Sequence, residues 1–316
     1  LSASQIFNFF ICPGGIFAIF FGLVLVSLER IAVARFQGRV GPPIFQNIFD
    51  VIKLITKEVM IPKDATNRFF FLLAPVFGFA GMVAAVSVIP VAGVSSGLGA
   101  NSDLIVLIYL LALPAVSHIL GGSSSGSTYS AVSVSREVVL MFAYEITFII
   151  VIFTVALAAG NGNGAVFSLQ QIVDYQLTNG SFISDPRMLP ALFAFLIFML
   201  ATLEVPPFHI AENDADVIKG YLMEYSGRPL ALFEMTHALK LLVLITVLQI
   251  FFFPGIAANN PVANLLWYMF KSGVIVFLIA LIHACMASFR VDQAFKFLLT
   301  VPVVLALASL GMVLFL

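Results

Sequence analysis

Apolar residues fall in long runs along the chain, each closed by a short polar stretch. A helix needs ~20 mostly apolar residues to cross a hydrocarbon core. Eight runs meet or approach that length: 12–34, 69–92, 103–121, 138–159, 188–204, 230–253, 262–286 and 295–316. The fifth is the shortest, and the eighth carries Pro302, which neighbouring helices accommodate in a membrane bundle. One polar stretch has a period of its own. After Gly41-Pro42-Pro43, apolar residues recur at Phe45, Ile48, Phe49, Ile52, Ile55 and Val59, with Asn47, Asp50, Lys53 and Lys57 on other faces. This spacing predicts an amphipathic helix lying on the membrane surface or against a partner, with Asp50 and Lys53 paired across one turn. Pro62 and the polar PKDATNR stretch end it, and GGSSSGST (121–128) reads as a flexible linker. The expected fold is all-α: one integral membrane domain over residues 1–316, with eight transmembrane helices and one amphipathic surface helix.

Composition agrees with the pattern. The chain is 61% hydrophobic and 10% charged, with a mean hydropathy of +1.10. A soluble domain carries about 25% charged residues, so the class is polytopic membrane protein. The net charge of −1 excludes the broad basic field of a nucleic-acid binder. No cleavable signal is expected, since no basic residue precedes Arg30 and the first apolar run is long enough to stay as a span. Cys12 and Cys285 fall on opposite sides of the expected membrane, too far apart for a disulfide. There is no CxxC, no GxGxxG and no GxxxxGK[ST], so neither a cluster, a zinc site nor a nucleotide site is encoded.

Basic residues set the orientation. Segments 29–68, 122–137, 205–229 and 287–296 carry 12 of the 15 Lys and Arg residues, and the opposite loops carry only Arg187. By the positive-inside rule those segments are cytoplasmic and both termini lie outside.

Charge also enters the apolar runs, where an ionisable residue is costly and is by default a functional candidate. Glu204, Glu212, Asp214, Asp216 and Glu224 crowd between the fifth and sixth runs, and Glu234, His237 and Lys240 continue into the sixth as a slanting stripe. Glu145 lies inside the fourth run with Glu137 eight residues earlier, on about the same helix face. Carboxylates, imidazoles and a lysine placed this way suit a polar axis that exchanges protons. The bland alternative is a set of buried ion pairs that only orient helices. For His118 and His283 that structural role is the favoured reading, and Asp103 stands apart at the far end of the third run.

The motifs carry a family resemblance. PPFHIAENDADVIKGYLMEYSGRPLALFEM (206–235) resembles, without a gap, the PFDLxEAExELVxGYxxEYSGxxFALF signature of complex I's quinone-chamber membrane subunit, the NADH dehydrogenase subunit 1/H family. QGRVGPPIFQNIFDVIKLITKE, REVVLMFAYEI and ASFRVDQAFKF extend the match from about Glu29 to Lys296. Two departures matter. GPPIFQ replaces the usual GPNxxG, and VPPFH (205–209) replaces NRxPFD, so an arginine and an aspartate tied to the quinone chamber are missing. The GPPIFQ form is similar to the homologous subunit of energy-converting membrane-bound [NiFe] hydrogenases, formate hydrogenlyases and sulfane-sulfur reductases.

The resemblance implies a non-redox membrane anchor in a prokaryotic cell membrane, coupling electron transfer to proton or sodium translocation. It implies hydrogenase-like large and small subunits, an iron–sulfur subunit and antiporter-like membrane subunits as partners, besides membrane lipid. Cofactors belong to those partners as iron–sulfur clusters and, in the hydrogenase form, a [NiFe] centre; none is expected on this chain. Proton coupling is expected at Glu137, Glu145, Glu204, Glu212, Asp214, Asp216, Glu224, Glu234, His237 and Lys240. Docking of the peripheral module is expected at Arg35, Arg39, Gly41, Pro42, Pro43, Asp50, Lys53, Arg228 and Arg290. Within the family the alternative is a quinone-binding subunit. Outside it the alternative is a stand-alone secondary transporter, which neighbouring hydrogenase-like genes would exclude.

Overall fold

The computed structural model describes residues 15–90, 103–160, 164–213, 218–253 and 261–315. Its helices are α1 (Gly15–Phe36), α2 (Gln46–Thr56), α3 (Arg68–Val88), α4 (Leu104–Ser124), α5 (Thr128–Gly160), α6 (Leu169–Asn179), α7 (Leu189–Thr202), α8 (Arg228–Phe252), α9 (Pro261–Cys285) and α10 (Val291–Phe315). Among the described residues there is no strand, only one isolated bridge between Asp103 and Ser168. Seven of these helices are long and apolar enough to cross a membrane, and the apolar helix over Pro186–Thr202 is shorter. The fifth expected span, 188–204, is this short one. The 14 residues of α7 rise only ~21 Å, less than a hydrocarbon core of ~30 Å. Pro206 and Pro207 block its continuation, having no N–H to donate.

Local signals fix the helix starts. The Asn67 side chain accepts from the backbone N–H of Phe69 and Phe70 at the head of α3, and Asp103 does the same for Ile105 at α4. Asp103, the acid isolated in the sequence, is thus a helix cap. Pro229 sits in the first turn of α8, where its missing N–H costs nothing.

Packing around α8 organises the rest. Of its apolar window 89% is buried, against 22–50% for the other six candidate spans. It packs on α1, α2, α3 and α9, while α5, α7 and α10 form a second group and α3 pairs with α4. Phe148 of α5 stacks on Phe198 of α7 with ring centroids 4.3 Å apart. One extended hydrophobic core joins both groups.

Three expectations are corrected. The Gly/Ser segment 121–128 is no flexible linker. Helix α4 runs through Ser124 and α5 begins at Thr128, leaving a turn of three residues. Ser130 Oγ donates to the Gly122 carbonyl at 2.9 Å and Thr66 N–H donates to the Ser124 carbonyl at 3.0 Å. Small side chains here allow close approach of two helix ends. Helix α5 accordingly has 33 residues, and Glu137 lies more than two turns inside it rather than at its edge.

Helix α2 is the expected amphipathic helix, and only part of its apolar face is covered by the bundle. Val51 is buried and Ile48 packs with it against Leu23 of α1 and Ala238 of α8, but Phe45, Phe49, Ile52, Ile55 and Val59 remain exposed. Its acid turns away from the expected partner. Asp50 lies 3.8 Å from Arg30 and accepts from Gln46 at 3.0 Å, while Arg30 also donates to Asn47. The tertiary neighbour α1 outcompetes Lys53 for this carboxylate.

Between the fourth and fifth apolar runs, where the pattern predicts only a loop, residues 169–179 form α6, with Leu169, Ile172 and Gln176 buried.

Candidate functional site

Five segments bring ionisable groups to one buried place at the α2 end of the bundle. Glu204, just past α7, has a backbone φ of 55°, left-handed and unfavourable for a residue with a Cβ. Its carbonyl accepts from His209 Nδ1 at 2.9 Å and its N–H donates to the Ala201 carbonyl at 3.2 Å, which hold the turn. The turn sends the carboxylate inward to a side-chain exposure of 8%. There Oε1 lies 3.4 Å from Lys240 Nζ of α8 and 3.8 Å from His118 Nδ1 of α4. Oε2 accepts from the Tyr221 hydroxyl at 3.1 Å. The His118 and Tyr221 rings stack with centroids 4.5 Å apart. Lys240 is 1% exposed, so the pair is desolvated and each member depends on the other.

Two further acids flank this centre. Glu137 of α5 is 1% exposed and its Oε1 lies 3.5 Å from the Tyr144 hydroxyl. On the other side Glu212, half-buried in the loop, lies beside Tyr221. Burial first, then the negative charge of Glu204, pushes the Glu212 carboxyl up to about 8. Burial, then the charges of Glu204 and Glu212, also raises the Tyr221 phenol well above its ordinary value. Around neutral pH the Glu212 carboxyl is thus predominantly the neutral acid and Tyr221 a neutral phenol. The Glu212 loop is tied to α5, because Ser133 Oγ donates to the Ala211 carbonyl and Arg136 to that of Ile210 at 3.3 Å.

The ten expected proton-coupling residues separate. Glu204, Lys240, Glu137 and Glu212 belong to the buried cluster, and His237 is half-buried beside it. Asp214 and Asp216 lie outside the described residues. Glu224 is half-buried in the same loop. Glu145 is half-buried and Glu234 exposed, so the stripe on α8 runs outward from Lys240 and the two acids of α5 do not share a face. The reason is helical phase. Eight residues at ~100° each leave Glu137 and Glu145 about 80° apart, which brings only the former to the cluster.

The structure adds residues that sequence reasoning does not select. His118 in its apolar run is a visible signal, read there as structural. Tyr221 stands inside the matched GYLMEYSG motif, but no period marks it, and Tyr144 resembles any membrane aromatic. A second pair, His283 with Glu29 at 3.2 Å, joins α9 to α1.

Expected docking residues sit together at this end. Arg35, Arg39, Pro43, Lys53, Arg228 and Arg290 are exposed, and Gly41, Pro42 and Asp50 are half-buried. Arg228 Nε donates to the Ile55 carbonyl at 3.5 Å and Met60 N–H to Ser226 Oγ at 3.2 Å, joining the segment after α2 to the loop before α8.

Gly122 supports the cluster from below. A Cβ there would meet Tyr221 Cβ at 2.9 Å as well as Val134. Gly122→Val is expected to displace Tyr221 from Glu204 and to destabilise the protein by about 1–3 kcal/mol through overpacking. Thermal melting of the purified protein checks this; an unchanged midpoint would show that Tyr221 is not seated on Gly122.

Helices of membrane length packed around a buried carboxylate–lysine–tyrosine cluster define a multi-pass all-α membrane protein with an internal ionisable centre. A family model described as NADH dehydrogenase matches residues 11–314, and the chain belongs to that family, the NADH dehydrogenase subunit 1/H family. Relatives include the NADH-quinone oxidoreductase H subunit of Ehrlichia ruminantium (strain Gardel), 31% identical over 297 residues, covering 86% of this chain and 79% of the relative. Its namesake from Rickettsia prowazekii (strain Madrid E) is 30% identical over 287 residues, with 86% and 82% covered. Among solved structures, a chain of the membrane-bound sulfane sulfur reductase, an archaeal respiratory membrane complex, superposes with a TM-score of 0.87 at 25% identity, covering 94% of this chain and 96% of that one.

Proposed function

We propose that this chain is the membrane-embedded coupling subunit of an ion-translocating oxidoreductase complex related to complex I, of the hydrogenase and sulfane-sulfur-reductase type. Electrons reach a docked peripheral module with iron–sulfur clusters, and the chain converts that arrival into protonation changes inside the membrane. Family membership, the likeness to the sulfane sulfur reductase chain and the GPPIFQ and VPPFH motifs support this reading, and family membership disfavours a stand-alone transporter. One observation carries it: hydrogen bonds join Tyr221 to Glu204 and Lys240 to Glu204, with Glu212 beside Tyr221 on the loop side.

The chemistry follows from donor counting. A phenol has one proton to give, and Tyr221 gives it to Glu204. Tyr221 can then only accept from Glu212, which requires Glu212 to be the neutral acid. A shift of both protons along this line protonates Glu204, leaves Glu212 ionised and releases Lys240 from its counter-charge. Glu137, which feels the charges of both Glu204 and Lys240, responds next. An extra electron ~12 Å from Glu212, at an effective dielectric of ~20, is worth about 1.4 kcal/mol, or about one pKa unit. The added negative charge favours the neutral acid at Glu212, so electron arrival draws the proton back from Glu204 to Glu212 and electron departure lets it move inward again.

Docking uses the exposed basic residues and the exposed apolar face of α2 on the cytoplasmic side, with both termini outside. Cross-links from 35–62 and 205–229 to hydrogenase-like subunits are expected in the purified complex; links to antiporter-like subunits alone would refute the docking assignment.

Tyr221→Phe tests the relay. It keeps the ring stacked on His118 and removes the hydroxyl. We expect assembly to persist and the ion gradient per electron to fall by about tenfold or more, as for a lost acid–base group. Wild-type coupling in this variant would refute the relay. The complex is further expected to turn over in quinone-free detergent and to resist quinone-site inhibitors. Turnover that requires bound quinone would instead support the quinone-binding alternative.

A further inference from the structure

A second polar site lies at the opposite end of the bundle. Residues 175–187, the end of α5 and the end of α10 line a half-open cavity of about 450 Å³, within the ~300–1,000 Å³ range of small-molecule sites. One wall is polar and includes Tyr175, Asp185 and Arg187, whereas the other is apolar and formed by Leu157, Ala158 and Val313. The twenty residues of α5 from Glu137 to Leu157 rise ~30 Å, so the cavity is a hydrocarbon thickness away from the buried cluster. It therefore sits at the other bilayer boundary, facing acyl chains on one side and head groups on the other.

The polar wall is rigid and charged. Arg187 Nε lies 3.0 Å from both Asp185 oxygens and Nη2 lies 2.8 Å from Oδ2. The Asp185 carboxylate also accepts from Arg187 N–H at 3.0 Å, capping the short turn of Pro186–Met188. Arg187's carbonyl accepts from Ser309 Oγ of α10 at 2.7 Å, which locks the loop to the membrane helix. Arg187 holds the Asp185 carboxyl below its ordinary range, so both groups stay charged near neutrality. The pair leaves guanidinium N–H donors unspent and the second lone pairs of the carboxylate open. No other lining residue is acidic or basic, so the lining is neutral overall but holds both signs.

We propose that this cavity seats the head group of one zwitterionic, amine-bearing phospholipid. Its phosphate would take the remaining N–H donors of Arg187, and its ammonium would lie between Asp185 and the face of Tyr175, where a cation is attracted by the ring. An acyl chain would continue along the ends of α5 and α10. A purely anionic lipid fits less well, because Asp185 cancels the one cation the cavity offers.

The test uses the purified complex, stripped of lipid in detergent and equilibrated with vesicles of equimolar phosphatidylethanolamine and phosphatidylglycerol. Lipid retained after re-isolation is quantified by mass spectrometry. Phosphatidylethanolamine is expected to be enriched about tenfold, the effect of about one charge-assisted contact. Asp185→Asn, which can still cap Pro186–Met188, and Arg187→Gln should each return the ratio to that of the vesicles. No enrichment in the wild type, enrichment of phosphatidylglycerol, or full enrichment in both variants would overturn the proposal. Release by soluble phosphoethanolamine at millimolar concentration would also overturn it, assigning the site to a free phosphate ester.

Discussion

Replacing Lys240 with methionine is expected to destabilise the protein by about 3–5 kcal/mol, the penalty of leaving a buried carboxylate without its partner. Lys240 is 1% exposed and Glu204 8%, so water cannot take over the role of the ammonium. The double variant Lys240→Met, Glu204→Gln removes both charges while keeping both volumes close to the original, and most of the stability should return. Thermal melting of the purified complex reads both effects. Equal midpoints for wild type and Lys240→Met would mean that Glu204 is not held ionised by this lysine, and the proposed release of Lys240 would lose its basis. Ion translocation gives the complementary result. The double variant should assemble and pass electrons while pumping little, because neither member is left to change charge.

The second large effect is a pH dependence. Glu212 has its carboxyl raised to about 8, so the native state binds a proton that the unfolded chain has lost above its ordinary value of ~4.3. A raised carboxyl contributes stability that is fully present below the unfolded value and is lost as pH rises towards the folded one. Stability should therefore decline from about pH 4.3 to about pH 8 and level off above. Coupling should follow the neutral form, since only that form donates to Tyr221, and should fall with a midpoint near pH 8. In Glu212→Gln the amide still donates a hydrogen bond but carries no transferable proton. Its ion gradient per electron should be low at every pH, with the alkaline decline absent. Measuring gradient and electron flux together across that range decides the matter; a wild-type midpoint surviving in Glu212→Gln would transfer the titration to another group. Glu137→Gln should weaken coupling more than Glu145→Gln, because only Glu137 is packed into the cluster.

Much of this protein is legible along the chain. Apolar run lengths give the membrane class and even the short fifth span, since the free energy of placing residues in hydrocarbon sums along the sequence without regard to neighbours. The density of acids after Thr202 marks the site for the same reason, as charge at an apolar boundary is costly wherever the chain then goes. Motif order from Glu29 to Lys296 is enough to place the family. What the sequence could not determine is which side chains meet. Asp50 has Lys53 one turn away, yet α1 brings Arg30 to it. GGSSSGST has the composition of a linker, but small residues also allow helix ends to touch, and composition does not separate the two. His118 and Tyr221 become partners of Glu204 only because α4 and the loop before α8 converge on one left-handed turn. A hydrophobic period fixes how far a side chain is rotated about its own helix; which neighbour it finds there depends on the positions of the other helices, and those are set by tertiary packing.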